Sequence, residues 1–387
     1  MMRVINRERL AQTFQTLVQV DSISRQEGRL CRLIRQHLEG LGCNTRVDDA
    51  GSKTGGDSGN LIAYFPGKRC SEPLLLSAHM DTVEPGRGVR IRFEQGVFSS
   101  AGDTILGADD KSALAVILEV VQSIREQDLP CGPLEIVFTV CEEVGLLGAK
   151  HLAYELISAR MGYVLDTRNP EAIVIRTPSA NRLAFHVHGK AAHAGAAPER
   201  GINAISLAGK AIAQISLGRI DRETTCNIGL IEGGVAINIV PERVVVRGEV
   251  RSHDESKLQR VTAAMVSAFE GVVNAWHAEG IDDRPHLEVE VVRDFDRLNI
   301  DPDHAVVDMA RRAAAGLGMR MDTAGSGGGS DANVFATRGI VTGVLGTGME
   351  NVHTVKETIR LDDMVRSARL LLGIIHLHAN GTAIPLQ

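Results

Sequence analysis

Short apolar runs alternate with helix-length segments through the first half of this chain. The apolar runs lie near residues 61–65, 74–78, 134–141 and 161–165, and helical patterns cover about 6–40, 110–127 and 146–157. Strands that alternate with helices of this length predict an α/β fold, with a mostly parallel sheet covered on both faces. A chain of 387 residues is also too long for one hydrophobic core, so we expect two domains.

The pattern changes after about residue 180. The next segments follow the order strand, helix, strand, strand, helix, strand, at 182–188, 203–215, 224–231, 243–251, 255–277 and 286–292. This βαββαβ order is the ferredoxin-like arrangement, and the αβ alternation resumes near residue 296. The sequence therefore predicts a discontinuous larger domain, residues 1–180 and 296–387, with an inserted ferredoxin-like α+β domain, residues 181–295.

The composition excludes several classes of protein. The formal net charge is -6 with both signs interspersed, which leaves no electrostatic footprint for nucleic acid. The six cysteines form no C-x-x-C pair and are thinly spread, so we expect a reducing compartment. The first residues, MMRVINRERL, lack the apolar segment of a signal peptide, and no apolar stretch approaches the ~20 residues of a membrane span. A cytoplasmic protein that binds neither nucleic acid nor membrane is expected.

Acidic and histidine side chains recur at five places, four of them after an apolar run. The motifs are His79-x-Asp81 in LSAHMDTVEPG, Asp109 in LGADDKSA, Glu142-Glu143 in FTVCEEVG, Asp166 in YVLDT and His353 in GMENVHTVKE. Residues that follow parallel strands meet at the carboxyl edge of the sheet, where open α/β sheets bind ligands. These imidazoles and carboxylates are too many for one tetrahedral metal site. The larger domain is thus predicted to be a di-metal catalytic domain of a hydrolase.

The spacing of His79 and Asp81 admits two interpretations. Residues i and i+2 of a strand face the same side, so His79 could bind a metal while Asp81 hydrogen-bonds the other ring nitrogen and fixes the tautomer. The alternative is a buried histidine with satisfied hydrogen bonds beside an aspartate in a turn.

The two acidic pairs also have alternatives. Neighbouring side chains point opposite ways, so one carboxylate of Glu142-Glu143 can bind metal while the other reaches an activated water. A solvated surface or a helix start is the other interpretation, which the apolar run before the pair disfavours. Asp110 is a candidate N-cap for the helix that follows, in which case Asp109 could point into the cleft as a bridging carboxylate.

At these positions the chain resembles the M20 family of metallopeptidases, and within it the peptidase T-like branch of tripeptide aminopeptidases. The resemblance covers nearly the whole chain in an ordered set of segments: SAHMDTVEPG, TILGADDKSALA, FTVCEEVGLLGAK, VLDT, GKAAHAGAAPERGINAI, GSGGGSDANVFATRGI and LGTGMENVHTVKE. It implies a cis peptide bond after Asp109 and an inserted lid domain through which the protein forms a homodimer.

The resemblance also implies a set of metal ligands. Asp109 would bridge two divalent ions. His79 and Asp166 would complete the coordination of one ion, and Glu143 and His353 that of the other. Zinc suits these nitrogen and oxygen ligands, and cobalt or manganese are the alternatives.

Catalytic roles follow from the same resemblance. Asp81 would orient His79, and Glu142 would be the general base that activates a water held by the metals. His193, in the AAHAG loop of the insertion, matches the position that stabilises the tetrahedral oxyanion from the partner subunit.

Substrate contacts are expected from two regions. Asn238 in AINIVP and Arg251 in GEVRS match positions where relatives bind the substrate's carboxylate. An arginine can bind a carboxylate through two parallel hydrogen bonds. The glycine-rich loop that leads to Ser330 and Asn333 is expected to line the substrate pocket with exposed amides.

The function expected from the sequence is hydrolysis of a peptide bond in short peptides by a metallo-exopeptidase. The first alternative is a metal-dependent amidohydrolase, either an N-acyl amino acid deacylase or a carboxypeptidase. The second is a non-catalytic metal-binding or oligomerisation module, against which the presence of both Glu142 and Asp81 argues.

Overall fold

The chain forms two compact units. A computed structural model describes residues 5–277 and 282–380. The first unit contains the described residues up to Arg176, then 298–326, and those from Ser330 onward. The second unit contains residues 177–297 and 327–329. The first unit is therefore discontinuous in sequence.

Helices and strands alternate through most of the chain. The α-helices are α1 (Arg7–Val18), α2 (Gly28–Gly40), α3 (Ala50–Thr54), α4 (Ala108–Glu126), α5 (Leu147–Lys150), α6 (Ala204–Ile212), α7 (Glu255–Asn274), α8 (Ala305–Gly316), α9 (Asp331–Thr337) and α10 (Leu361–Ala379). The strands are β1 (Asn44–Val47), β2 (Leu61–Phe65), β3 (Leu74–His79), β4 (Ile91–Glu94), β5 (Val97–Ser100), β6 (Leu134–Thr139), β7 (Met161–Thr167), β8 (Ala172–Thr177), β9 (Ser179–His188), β10 (Gly218–Arg219), β11 (Thr224–Gly233), β12 (Arg243–Ser252), β13 (His286–Phe295), β14 (Leu298–Asn299), β15 (Asp322–Gly325), β16 (Val341–Gly346), β17 (Met349–Glu350) and β18 (Thr358–Arg360). Short 3₁₀ turns cover Tyr154–Leu156 and Pro198–Arg200.

A large sheet forms the core of the first unit. Its strand order is β1-β2-β6-β3-β7-β16-β8-β14, and β15 pairs with β8. The central strands β6, β3, β7 and β16 are parallel to one another. Antiparallel pairs flank them, because β2 runs against β6 and β8 runs against β16. The predicted α/β fold with a mostly parallel sheet is confirmed, with antiparallel strands added on both sides of the parallel centre.

The central strands are continuous apolar runs in the sequence because both of their faces are buried. Every residue of β3 and β6 is buried, as expected for parallel strands that lie in the middle of a sheet. Helix α4 is buried along nearly its whole length and contacts β3, β7, α1 and α10. No helix among the described residues is long and apolar enough to cross a membrane.

The segment from 6 to 40 differs from the continuous helical pattern expected. It contains α1 and α2, separated by a loop at residues 19–27. This loop pairs with the chain after β3, because the Ser22 hydroxyl donates to the Met80 carbonyl at 2.8 Å and the Thr82 N–H donates to the Ser22 carbonyl at 3.0 Å. Tertiary hydrogen bonds thus interrupt the helix beside the end of β3.

The second unit is an antiparallel sheet with helices on one side. Its strand order is β10-β11-β12-β9-β13, and α6 and α7 pack on the sheet. Leaving out the two-residue β10, the chain order is βαββαβ, and the spatial order of the four long strands is that of a ferredoxin-like fold. Phe185 of β9 stacks on Phe269 of α7, with ring centroids 3.9 Å apart, at the centre of this core.

A small third sheet was not expected from the sequence. Its order is β17-β18-β5-β4, and all its pairs are antiparallel. The strands are two to four residues long, too short for an alternation of apolar and polar residues to be recognised. The loop between β17 and β18 carries His353, so this sheet places one of the predicted metal ligands.

Candidate active site

The predicted metal ligands converge at the carboxyl edge of the parallel strands. His79 is the last residue of β3, and it lies opposite Thr139, the last residue of β6. Asp166 lies near the end of β7, and Glu143 follows β6 after a short bend. The first turn of α4 contributes Asp109, and His353 reaches the same edge from the loop between β17 and β18.

These ligands form two groups that share one carboxylate. In the first group, ligand atoms of His79, Asp109 and Asp166 lie within 4.8 Å of one another, and in the second those of Asp109, Glu143 and His353 do. One oxygen of Asp109 is 3.2 Å from His79 Nε2, and its other oxygen is 3.2 Å from His353 Nε2. His353 Nε2 also lies 2.9 Å from a Glu143 oxygen. Asp109 therefore faces both groups at once.

Hydrogen bonding leaves the His79 ring suited to binding a cation. Its Nδ1 lies 2.9 Å from the Asp81 carbonyl oxygen, which can only accept, so Nδ1 carries the proton. In the neutral imidazole Nε2 then has a lone pair, and that lone pair faces an Asp109 oxygen. Two acceptors in contact require a cation between them, either a proton or a metal ion.

The electrostatics of the site also favour a bound cation. Loss of hydration, together with neighbouring carboxylates, raises the pKa values of Asp166 and Glu142 well above the usual range, and that of Glu143 is also raised. Burial opposes ionisation of Asp109 too, but its bonds to the two imidazoles outweigh burial and lower its pKa. So many close carboxylates are not stable together as anions without positive charge. The donor set therefore fits divalent metal ions.

Asp81 holds the chain that carries Glu142 and Glu143. β3 ends at His79, so strand periodicity does not place Asp81; its carboxylate lies 3.5 Å from His79 Nδ1, farther than its own carbonyl oxygen. The Asp81 carboxylate instead accepts the backbone N–H groups of Glu142 at 2.9 Å and Glu143 at 3.2 Å, and the Ser24 hydroxyl at 2.6 Å. Asp81 therefore contacts the His79 ring most closely through its main-chain carbonyl oxygen and not through its carboxylate.

Asp110 does not act as the N-cap of α4, which differs from the expectation. Its carboxylate accepts the backbone N–H of His79 at 3.2 Å, and the residue before α4 is Gly107, with no side-chain cap. Both Asp109 and Asp110 have non-helical backbone angles inside the span of α4. The peptide bond between them is cis, which confirms the expectation for this position.

Two buried glutamates near the site were missed by the sequence analysis. Glu27 accepts the backbone N–H of Cys141 at 3.0 Å, where Cys141 has a left-handed φ of 54° that non-glycine residues rarely adopt. Burial and the charge of Asp81 raise the pKa of Glu27 to about 7. Glu357 accepts three backbone N–H groups around Asp109. Glu27 lies outside the sequence motifs, and Glu357 ends the GMENVHTVKE motif four residues after His353, but only the tertiary contacts identify what either residue does.

The remaining predicted residues of the insertion lie in the second unit. His193 and Asn238 are exposed and adjacent, since the Ala194 N–H donates to the Asn238 carbonyl at 2.9 Å. Arg251 on β12 makes a two-pronged contact with Glu249, at 3.0 and 2.9 Å.

Ser330 and Asn333 are both buried, which differs from the exposed loop expected. The Asn333 side chain accepts the Ser330 N–H at 3.0 Å, in a capping box at the start of α9. Because both residues are engaged in forming the first turn of α9, a direct contact of either with substrate stays a prediction.

The role of Asp81 gives a testable expectation. Asp81→Asn keeps one acceptor oxygen but places an amide donor against backbone donors, so it should lower the free energy of unfolding by about 2–4 kcal/mol. Ser24→Ala removes a single hydrogen bond to the same carboxylate and should cost about 1 kcal/mol. Urea unfolding of the metal-free protein measures both. Equal stability of Asp81→Asn and the unchanged protein would show that Asp81 does not hold the 142–143 segment.

Comparisons with known proteins agree with this geometry. Residues 75–377 match the model of peptidase family M20/M25/M40. The uncharacterized protein YqjE of Bacillus subtilis (strain 168) is 38% identical over 96% of this chain and 99% of its own length. An aminopeptidase PepT from Bacillus cereus ATCC 10987 is 40% identical with a TM-score of 0.85, and a tripeptidase from Staphylococcus aureus subsp. aureus mu50 is 36% identical with a TM-score of 0.90; each comparison covers 97% of this chain and 100% of the other. The chain therefore belongs to peptidase family M20/M25/M40, as a metallo-exopeptidase.

Proposed function

We propose that this protein is a peptidase T-like aminopeptidase that hydrolyses a peptide bond of tripeptides and other short peptides. One observation carries the proposal: Asp109 turns one carboxylate oxygen to His79 and the other to His353, each at 3.2 Å. Two similar structures, at 40% and 36% identity, are described as an aminopeptidase and a tripeptidase, which supports this choice of substrate.

Two metal ions fit the ligand groups. His79 and Asp166 would hold one ion, Glu143 and His353 the other, and Asp109 would contact both. We assign zinc, with cobalt and manganese as alternatives, because imidazole and carboxylate ligands suit all three. Divalent ions at such a site polarise the substrate carbonyl and make a water molecule more acidic.

Glu142 is the residue that we assign to proton transfer. It belongs to neither ligand group, yet it is buried beside Glu143, and the bond from its backbone N–H to Asp81 fixes its position. In this assignment Glu142 takes a proton from the attacking water and returns it to the leaving amine. The base and one metal ligand, Glu143, would thus be adjacent residues on one bend.

His193 presents a hydrogen-bond donor suited to an oxyanion. Its Nδ1 accepts the backbone N–H groups of Gly195 and Ala196, both at 3.1 Å. With Nδ1 accepting, the proton of the neutral ring lies on Nε2, which can donate. We assign this N–H to the tetrahedral oxyanion of a site in a second subunit.

Arg251 and Asn238 are assigned to the substrate. The pairing of Arg251 with Glu249 already has the two-pronged geometry in which a guanidinium binds a carboxylate. A peptide's carboxylate would take the place of Glu249 in this contact. Asn238 lies in the exposed segment beside His193 and would supply an amide to the same substrate.

A homodimer through the second unit is supported by an exposed apolar segment. Leu230 is 55% exposed, Ile231 53%, Val235 85% and Ile237 105%. Ile239, at the end of the segment, pairs with His193 through an isolated β-bridge. Burial of this segment against a second copy would remove apolar surface from water and bring the His193 loop to the interface.

A cytoplasmic location is the remaining part of the proposal. All six cysteines are free, and five of them are buried. Unpaired, buried thiols are typical of proteins in a reducing compartment.

The proposed activity is tested with purified, zinc-loaded protein and a panel of substrates. We expect release of the amino-terminal residue from tripeptides such as Ala-Ala-Ala, with slower cleavage of dipeptides. The control panel consists of N-acetylated amino acids and amino-terminally blocked tripeptides. Preferred hydrolysis of an N-acyl amino acid would replace the proposal by an amidohydrolase, and release of the carboxy-terminal residue would replace it by a carboxypeptidase.

Adjacent glutamates allow base and ligand to be separated. Glu142→Gln should keep two metal equivalents while kcat falls by roughly 10²-fold or more, the scale of a lost general base. Glu143→Ala should lose metal first, because it removes a ligand of one group. Metal content after gel filtration and kcat are measured on both variants. Metal loss in Glu142→Gln with retention in Glu143→Ala would reverse the two roles.

Mixing two inactive variants tests whether the site is shared. If His193 acts in the partner's site, His193→Ala mixed with Glu142→Gln gives heterodimers with one complete site, and activity should rise to about a quarter of the unchanged enzyme. This value assumes that half of the dimers are mixed. Each variant exchanged with itself is the control. Proven subunit exchange without recovery of activity would mean that His193 does not act across subunits.

A further inference from the structure

Glu357 is a buried carboxylate on the segment that carries His353. It lies directly before β18, four residues after His353, and is 1% exposed. His353 itself has a left-handed backbone with φ 62°, so the 351–357 loop places its imidazole through a conformation that non-glycine residues rarely adopt. Such a loop needs anchoring contacts to keep that conformation.

The contacts of Glu357 reach the segment that carries Asp109. One carboxylate oxygen accepts the backbone N–H groups of Leu106 at 2.8 Å and Gly107 at 2.7 Å. The other oxygen accepts the backbone N–H of Asp109 at 2.9 Å. Both oxygens are used, and each bond is of the stronger, charge-assisted kind.

This carboxylate therefore joins two ligand-bearing segments that are far apart in sequence. The bond to Asp109 spans 248 residues. Asp109 stands in the first turn of α4, where backbone N–H groups have no partner inside the helix, and its own backbone angles (φ -81°, ψ 101°) are not helical. A neutral contact nearby, from the Ser112 hydroxyl to the Thr347 hydroxyl at 2.8 Å, also links these two parts of the chain.

We propose that Glu357 is a positioning residue that assembles Asp109 and His353 before metal binds, and so sets the affinity of the metal position formed with Glu143. The inference rests on the proposed di-metal site. Glu357 is not a ligand in either group; it acts on the ligands through the main chain. Pre-assembly matters because ligands that must be ordered on binding reduce the affinity that their contacts provide.

Glu135 offers a matched control. It is a buried glutamate on β6 whose carboxylate accepts the N–H groups of Ser158 at 3.1 and 3.0 Å and of Ala159 at 2.9 Å. It stands near the start of β6, whereas the ligand-bearing bend follows the end of that strand. Glu135→Gln therefore removes the same kind of carboxylate anchor at the start of β6 and β7, the end of both strands that lies away from the proposed ligands.

The experiment measures zinc affinity of the full-length protein by competition with a chromogenic chelator. We expect two binding steps in the unchanged protein and in Glu135→Gln. In Glu357→Gln one step should weaken by about 10–100-fold, the usual effect of losing a residue that supports metal ligands, with a smaller change in the other step. The visible spectrum of cobalt-loaded Glu357→Gln should change as well, because the ligand arrangement changes.

A double-variant comparison assigns the effect to the His353 position. In the presence of His353→Ala, adding Glu357→Gln should weaken that step by less than it does in the unchanged protein, since one of the two ligands that Glu357 places is already gone. Unchanged affinity and spectrum in Glu357→Gln, or an equal loss in Glu135→Gln, would overturn the inference. Absence of two metal equivalents from the unchanged protein would instead overturn the proposed di-metal site.

Discussion

The crowding of carboxylates at one edge of a parallel sheet is the constraint on which the site depends. Asp109, Glu142, Glu143 and Asp166 are close together, and loss of hydration makes their simultaneous ionisation unfavourable. Glu142, Glu143 and Asp166 are held there by the apolar strands β6 and β7, which end at the same edge, and Asp109 is held there by the first turn of α4. The folded chain therefore keeps an arrangement that positive charge stabilises, either as protons or as metal ions.

Backbone hydrogen bonds to buried carboxylates keep this arrangement in place. Asp81, Glu27 and Glu357 each accept backbone N–H groups from a segment that carries a ligand or lies beside one. Each carboxylate satisfies donors that an irregular loop would otherwise leave unpaired in the interior. The same bonds fix unusual backbone conformations, including the left-handed Cys141. Residues outside the two candidate ligand groups thus determine where the grouped side chains lie.

The second unit is stabilised by a hydrophobic core of its own. Its sheet is antiparallel and buries one face under α6 and α7, with the Phe185–Phe269 pair in the core. Polar groups therefore lie on its loops, where His193 and Asn238 are exposed. A compact core of its own lets such a unit present loops and an apolar segment without disturbing its own packing.

The sequence was enough to predict the α/β class, the βαββαβ order of the insertion, and the residues that meet at the sheet edge. It could do so because buried strands and their terminal ligands leave a local pattern, as His79 and Asp166 illustrate. The tertiary fold was needed to reveal the small sheet that carries His353, the loop that interrupts the first helical segment, and the capping use of Asn333. It also decided that Glu357 anchors Asp109, because a contact across 248 residues has no local signature in the sequence.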